Sequence, residues 1–240
     1  MRTREWVKST DPGAMLWDVS ASAEADGPEH FVRPARRRLY LFFLHAFRPV
    51  IERTDTPACC AAVELVRQLA EGTTAPQSAL TETRAALFAE HQATWETTHQ
   101  GLEISTEIAE RLSFFNLFFV VLNNPVAAAR NVFLAPYASP MPGFSSPIEP
   151  ARACALLREI FGERGRLLVE PEWRAEWRTD TVLALARQMY DSEQFGAMPI
   201  LADALQDAGC DNAKILAHCR DPKATHVRGC WVLDTVLGKV

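Results

Sequence analysis

Apolar residues recur along most of the chain at intervals of three and four, the spacing that gathers them on one face of an α-helix. One apolar stretch, residues 166–177, lacks this spacing, and we expect at most one short extended segment there. Asp11-Pro12 and Thr56-Pro57 each place a capping side chain before a proline, which is a usual helix start. The sequence therefore predicts an all-α protein, built as an irregular multi-helix bundle.

Breaks in the apolar pattern set the bounds of the predicted helices. Pro49 should bend or end the helix in which it lies, and Ser146 with Glu149 resembles a capping box at the start of another. The predicted helices cover approximately residues 12–19, 34–53, 57–71, 75–100, 105–123, 125–135, 147–161, 180–191, 197–208, 212–219 and 226–238.

Prolines, serines and a glycine are concentrated in residues 136–147, a composition typical of a linker. This linker predicts an N-terminal helical region, residues 1–140, and a C-terminal helical module, residues 141–240. A single continuous domain is the alternative, because 240 residues suit either arrangement.

The balance of charge argues against a nucleic-acid-binding protein that relies on overall positive charge. The chain carries a net charge of -5, with 48% hydrophobic and 23% charged residues, as in ordinary globular proteins. Four arginines (Arg33, Arg36, Arg37 and Arg38) form the exception, and we interpret them as a solvated helix start. Binding of acidic polymers by these arginines is the less favoured interpretation.

Two features of the sequence argue against a membrane protein and a secreted protein. The N-terminus has no continuous apolar run of the kind found in signal peptides, and the most apolar run, residues 112–122, is too short to span a bilayer. We therefore expect a cytoplasmic protein whose six cysteines are thiols or metal ligands rather than disulfides.

The densest chemistry lies near the C-terminus, where three cysteines and two histidines fall within residues 210–230. One ligand from each predicted turn gives the set Cys210, His218, His226 and Cys230, which suits tetrahedral zinc. His226 and Cys230 are four residues apart, so one face of the predicted last helix would carry both. Cys219 is rotated by about 100° from its neighbour His218 and should not share an ion with it.

Two other interpretations of this stretch stay open. In the first, the cysteines pack as small apolar residues and the histidines cap helices, so that no cofactor is bound. In the second, His226 lowers the thiol pKa of Cys230 and activates it as a nucleophile. No phosphate-binding loop, nucleophile elbow or His-Glu-x-x-His motif accompanies either of them.

The stretch "MPILADALQDAGCDNAKILAHCRDPKATHVRGCWVLDTVLGK", with "ACALLREIFG" and "MYDSEQF" before it, resembles a planctomycete family of uncharacterised proteins. The N-terminal residues Trp6, Thr10-Asp11-Pro12 and Met15-Leu16 resemble the same family more loosely. The resemblance implies a bacterial cytoplasmic protein whose C-terminal region is one module. It implies no activity.

Three functions follow from these patterns. We favour a non-enzymatic helical interaction or scaffold protein, acting through a protein partner or by self-association, because no catalytic constellation is recognisable. The first alternative is a zinc-binding module with a structural site at Cys210, His218, His226 and Cys230. The second is a small-molecule enzyme that uses His226 and Cys230.

Overall fold

The computed structural model describes residues 3–25, 32–53, 56–99, 106–132, 148–162 and 173–239, and these ranges contain thirteen α-helices and no strand. The all-α prediction is confirmed. Most of the predicted extended segment lies outside the described residues, and its last three residues form a 3-10 turn, Ala175–Trp177. The helices are α1 (Thr3–Lys8), α2 (Pro12–Ala25), α3 (Val32–Ala46), α4 (Arg48–Ile51), α5 (Pro57–Ala70), α6 (Gln77–His99), α7 (Thr106–Asn123), α8 (Pro125–Val132), α9 (Pro150–Phe161), α10 (Asp180–Ser192), α11 (Met198–Asp207), α12 (Ala213–Arg220) and α13 (Trp231–Leu237).

Both predicted cap-and-proline helix starts are present. The Thr56 side chain accepts a hydrogen bond from the Cys59 amide at 3.4 Å, with Pro57 at the first position of α5. Asp11 Oδ1 accepts from the Ala14 amide at 3.1 Å at the start of α2. Each side chain satisfies an amide that the first helical turn leaves without a carbonyl partner.

Two predicted helix bounds need correction. The helix expected over residues 34–53 is two helices, α3 and α4, separated at Phe47. The bend or end predicted at Pro49 is thus present, because Pro49 lacks the amide that a continuous helix requires. Glu149 is itself the N-cap of α9 and not the third helical residue: its carboxylate accepts from the amides of Ala151 and Arg152 at 3.2 and 3.1 Å. Ser146 lies outside the described residues.

The buried apolar side chains of the described residues form two clusters. The first cluster runs from Trp6 to Phe161 and includes residues of α1–α9, and the second runs from Trp177 to Val236. Helix α9 packs against α2 and α3 and so belongs to the first cluster. The predicted linker, residues 136–147, lies outside the described residues, and the division at residue 140 stays a prediction.

Charged and polar side chains join the two clusters. Arg37, on α3, forms an ion pair with Asp234 on α13 and donates to the Tyr190 hydroxyl at 2.8 Å. That hydroxyl donates to Glu71 at 3.2 Å, and Lys239 donates to the same carboxylate at 3.0 Å. Polar contacts of this kind connect α3 and the end of α5 to the C-terminal helices.

The prediction of a solvated arginine cluster is wrong for two of its members. The side chain of Arg37 is 11% exposed and Arg38 is 6% exposed, because α3 turns both toward packed structure. Arg36 is exposed, and the side chain of Arg33 lies outside the described residues. Two basic residues of α3 are therefore buried rather than solvated.

Among the described residues, none of the helices combines the length and the apolar character that crossing a bilayer requires.

Candidate metal centre

Four potential metal ligands converge where α9 meets the C-terminal helices. One ligand atom each from Glu159, His218, His226 and Cys230 lies within 4.8 Å of all the others. Glu159 comes from α9, His218 from the last turn of α12, and His226 and Cys230 from the loop between α12 and α13. Three of the four predicted ligands are thus brought together, with a glutamate as the fourth member.

His218 lies at about the spacing of zinc ligands from Glu159 and Cys230, whereas His226 and Glu159 are at hydrogen-bond distance. His226 Nδ1 lies 3.0 Å from Glu159 Oε1, and His218 Nε2 lies 3.5 Å from Glu159 Oε2 and 3.3 Å from Cys230 Sγ. Zinc bonds of about 2.0–2.3 Å in tetrahedral geometry place ligand atoms about 3.3–3.6 Å apart. The two imidazole rings are 5.0 Å apart and nearly perpendicular.

The four side chains are shielded from solvent. Cys230 is fully buried, and the side chains of Glu159, His226 and His218 are 6%, 7% and 17% exposed. The Trp231 ring lies 5.1 Å from that of His218 and covers one side of the centre. Buried charges and polar groups of this density require partners or a metal ion.

Helix α9 holds Glu159 in a fixed position. The Trp6 indole Nε1 donates to the carbonyl of Gly162, the C-cap of α9, at 2.9 Å, and Arg158 Nη2 donates to the Trp6 carbonyl at 3.3 Å. Apolar residues of the first cluster surround Glu159 along the helix, among them Leu156 and Ile160. The carboxylate is therefore presented from a packed helix.

His218 is positioned by the cap of a short helix. The Asn212 side chain accepts from the Lys214 and Ile215 amides at 3.1 and 3.4 Å and so starts α12. Cys219 follows His218 but points elsewhere: it is 1% exposed and packs in the second cluster. This agrees with the expected rotation between neighbouring helical residues.

The helix predicted over residues 226–238 begins only at Trp231, so His226 and Cys230 do not share a helical face. Gly229 explains the difference, because its φ of 94° is left-handed and interrupts helical geometry. A Cβ at this position would lie 2.7 Å from Leu41 Cδ1, so the backbone approaches α3 closely. A turn, in which the Cys230 amide donates to the Val227 carbonyl at 2.9 Å, brings the two ligands together.

Cys210 lies outside the group of four. Its amide donates to the Leu205 carbonyl at 2.9 Å, just after the left-handed Gly209, and this ends α11. Its side chain is 3% exposed and packs in the second cluster. As a turn residue it was placed correctly, but its sulfur faces the apolar core.

Glu159 was missed by the sequence interpretation. Its signal was a carboxylate among the apolar positions of α9, near Leu156, Leu157 and Ile160, where a charge needs a partner. The partners lie 59 and 67 residues further along the chain, so local spacing does not reveal them.

The electrostatics differ sharply between the two acidic ligands. Burial alone would raise the pKa of Glu159, but hydrogen bonds and charge from His218 and His226 outweigh it and lower this pKa to about 2. Burial, reinforced by the Glu159 carboxylate, raises the pKa of the Cys230 thiol well above its usual value. A buried thiol with a raised pKa is poorly suited to attack a substrate, which argues against the predicted His226–Cys230 nucleophile.

Searches against models of protein families, curated proteins and solved structures found no match for the chain. The resemblance to planctomycete proteins therefore stays a prediction.

Proposed function

We propose that the protein binds one zinc ion through Glu159, His218, His226 and Cys230, and that the ion has a structural role. The observation that carries this proposal is the convergence of four ligand atoms from three separate segments within 4.8 Å. Mixed nitrogen, oxygen and sulfur ligands suit zinc, whose softness is intermediate. Four protein ligands complete a tetrahedral shell, so no position is left for a substrate.

Charge balance supports the same assignment. The carboxylate of Glu159 and the thiolate of Cys230 together neutralise the two positive charges of zinc, and the imidazoles add none. A neutral centre can be buried at much lower cost than an isolated charge. Zinc would also keep Cys230 deprotonated, since a coordinating thiol loses its proton to the metal.

Metal content is the direct test. Purified full-length protein, dialysed against metal-free buffer near neutral pH, should retain about one equivalent of zinc per chain. Less than about a tenth of an equivalent, with no uptake when zinc is added, would overturn the proposal. The same contacts would then be hydrogen bonds from two imidazoles to one carboxylate.

Two cysteine variants identify the sulfur ligand. Cobalt substitution should give the visible absorption of a tetrahedral centre and a thiolate-to-cobalt charge-transfer band. Cys230→Ser should abolish the charge-transfer band, whereas the matched variant Cys210→Ser, also a buried thiol, should retain it. The reverse pattern would favour the ligand set predicted from the sequence.

The wider role stays a second proposal: a non-enzymatic, cytoplasmic interaction protein that acts through a partner or by self-association. The observation that motivates it is a pair of exposed aromatic side chains on two helices that pack against each other. Phe88 on α6 is 54% exposed and Phe119 on α7 is 40% exposed. Sedimentation analysis should show a self-associating species, and a monomer at all concentrations would count against self-association.

A further inference from the structure

The four ligands belong to different apolar clusters. Glu159 lies on α9, which packs in the first cluster, whereas His218, His226 and Cys230 lie within the stretch of chain that forms the second cluster. An ion bound to all four would therefore connect the two clusters as well as hold a loop.

Several other contacts between the clusters are polar in the part of the chain that the structure describes. They include the Arg37–Asp234 ion pair and the hydrogen bond from Tyr190 to Glu71. His45 Nε2 also donates to the carbonyl of Arg228 at 2.9 Å. When such groups separate they regain hydration, so their net contribution to holding two surfaces together is small.

Apolar contacts across this boundary include two that are made at glycine backbone. The Trp231 ring covers Gly162, where an added Cβ would meet it at 3.6 Å, and Gly229 lies against Leu41. Val227 is partly buried against the first cluster. Both Gly229 and Val227 lie in the loop that carries two of the ligands, so their packing depends on the position of that loop.

We infer that the ion holds the two clusters together: loss of the metal releases residues 173–239 from α9, while the helices within each cluster stay folded. The contact between the two clusters is called the joint below. The inference rests on the proposed zinc site. Metal occupancy then controls whether the joint is closed. Among the four ligands, Glu159 alone comes from the first cluster.

The six native cysteines report on this joint without any introduced residue. Cys60 is exposed, Cys59 and Cys154 are buried in the first cluster, and Cys210 and Cys219 are buried in the second. Cys230 lies at the joint and is fully buried. Alkylation of the full-length protein, followed by peptide mass spectrometry, gives a separate rate for each thiol.

The metal-loaded protein should be alkylated rapidly at Cys60 alone. After chelation, verified by metal analysis, the rate at Cys230 should rise at least roughly tenfold, while Cys210 and Cys219 stay protected. Continued protection of Cys230 in metal-free protein would overturn the joint. Alkylation of Cys210 and Cys219 together with Cys230 would overturn it too, because the ion would then hold the second cluster itself.

A variant and a shape measurement separate opening of the joint from loosening of the loop. Glu159→Gln removes the link to α9 but keeps the three other ligands, so the metal-supplemented variant should show a larger radius of gyration by small-angle scattering. Chelated wild-type protein should show a similar increase, and Glu64→Gln, an exposed glutamate, should show none. An unchanged radius in both samples would overturn the inference, whereas absence of bound metal in wild-type protein would overturn the zinc site instead.

Discussion

Removal of one partner from the buried ion pair between Arg37 and Asp234 should be costly, although the intact pair contributes little net stability. Asp234 is fully buried and the side chain of Arg37 is 11% exposed. Burial raises the pKa of Asp234 although Arg37 opposes it, so the carboxylate depends on its partner to remain charged. Arg37→Met should therefore leave a buried carboxylate without its partner and lower the free energy of unfolding by about 3–5 kcal/mol.

The double variant Arg37→Met/Asp234→Leu distinguishes a lost pair from lost packing. Replacement of both charges by apolar side chains of similar size should restore most of the free energy, to within about 1–2 kcal/mol of wild type. The Tyr190 hydroxyl loses one hydrogen bond in this variant but keeps Glu71 as a partner. Two large destabilising effects that fail to add are the signature of directly interacting residues.

Urea unfolding of the zinc-saturated protein, followed by tryptophan fluorescence, measures these free energies. Trp177 and Trp231 both lie in the second cluster and report on its unfolding. The reasoning is refuted if Arg37→Met costs less than about 1 kcal/mol and the double variant costs the sum of the two single changes. That result would mean that both groups are hydrated in the folded protein.

Two further changes probe the loop that carries His226 and Cys230. Gly229→Ala should lower the free energy of unfolding by about 1–3 kcal/mol and weaken zinc binding, because φ is 94° and the new Cβ meets Leu41. The control Gly196→Ala, with open space around it, should be neutral. Equal denaturation midpoints for the two variants would contradict this prediction. Burial lowers the pKa of His45 below 6.5, and the neutral imidazole is hydrogen-bonded to the Arg228 carbonyl. The stability that this contributes is present at higher pH and is lost as the pH falls below 6.5. The difference in unfolding free energy between wild type and His45→Gln should accordingly shrink as acid is added, and a difference that is constant or grows would show that the imidazole is not held neutral.

Local signals in the sequence predicted most helices because they depend on a few adjacent residues. The starts at Pro12 and Pro57 and the end at Gly162 follow from caps, proline and glycine. The start of the last helix was misplaced because residues 226–230 carry an apolar pattern that the left-handed Gly229 overrides. A single sequence does not show that this glycine must approach Leu41, since the contact is made in the tertiary structure.

The candidate site likewise contains residues that local sequence signals identify and one that only the tertiary structure brings in. His218, His226 and Cys230 lie within 13 residues, so the sequence could group them by proximity alone. Cys210 lies equally near but packs inward, and spacing does not distinguish a sulfur that faces the core from one that faces a ligand. Glu159 is separated from the others by the segment between two clusters, and only their packing brings it near.

Each cluster contributes one buried carboxylate whose partners lie on the other cluster. Glu159, on a helix of the first cluster, faces the histidines of the second, and Asp234, on a helix of the second, faces Arg37 of the first. Each would lose its partners if one cluster slid against the other by a helical turn, since burial makes an unpaired carboxylate costly. Apolar surfaces are less selective about such a slide, because the hydrophobic effect is not directional. The polar joint therefore selects one relative placement of the clusters, and an ion at Glu159 would secure the placement that the charges select.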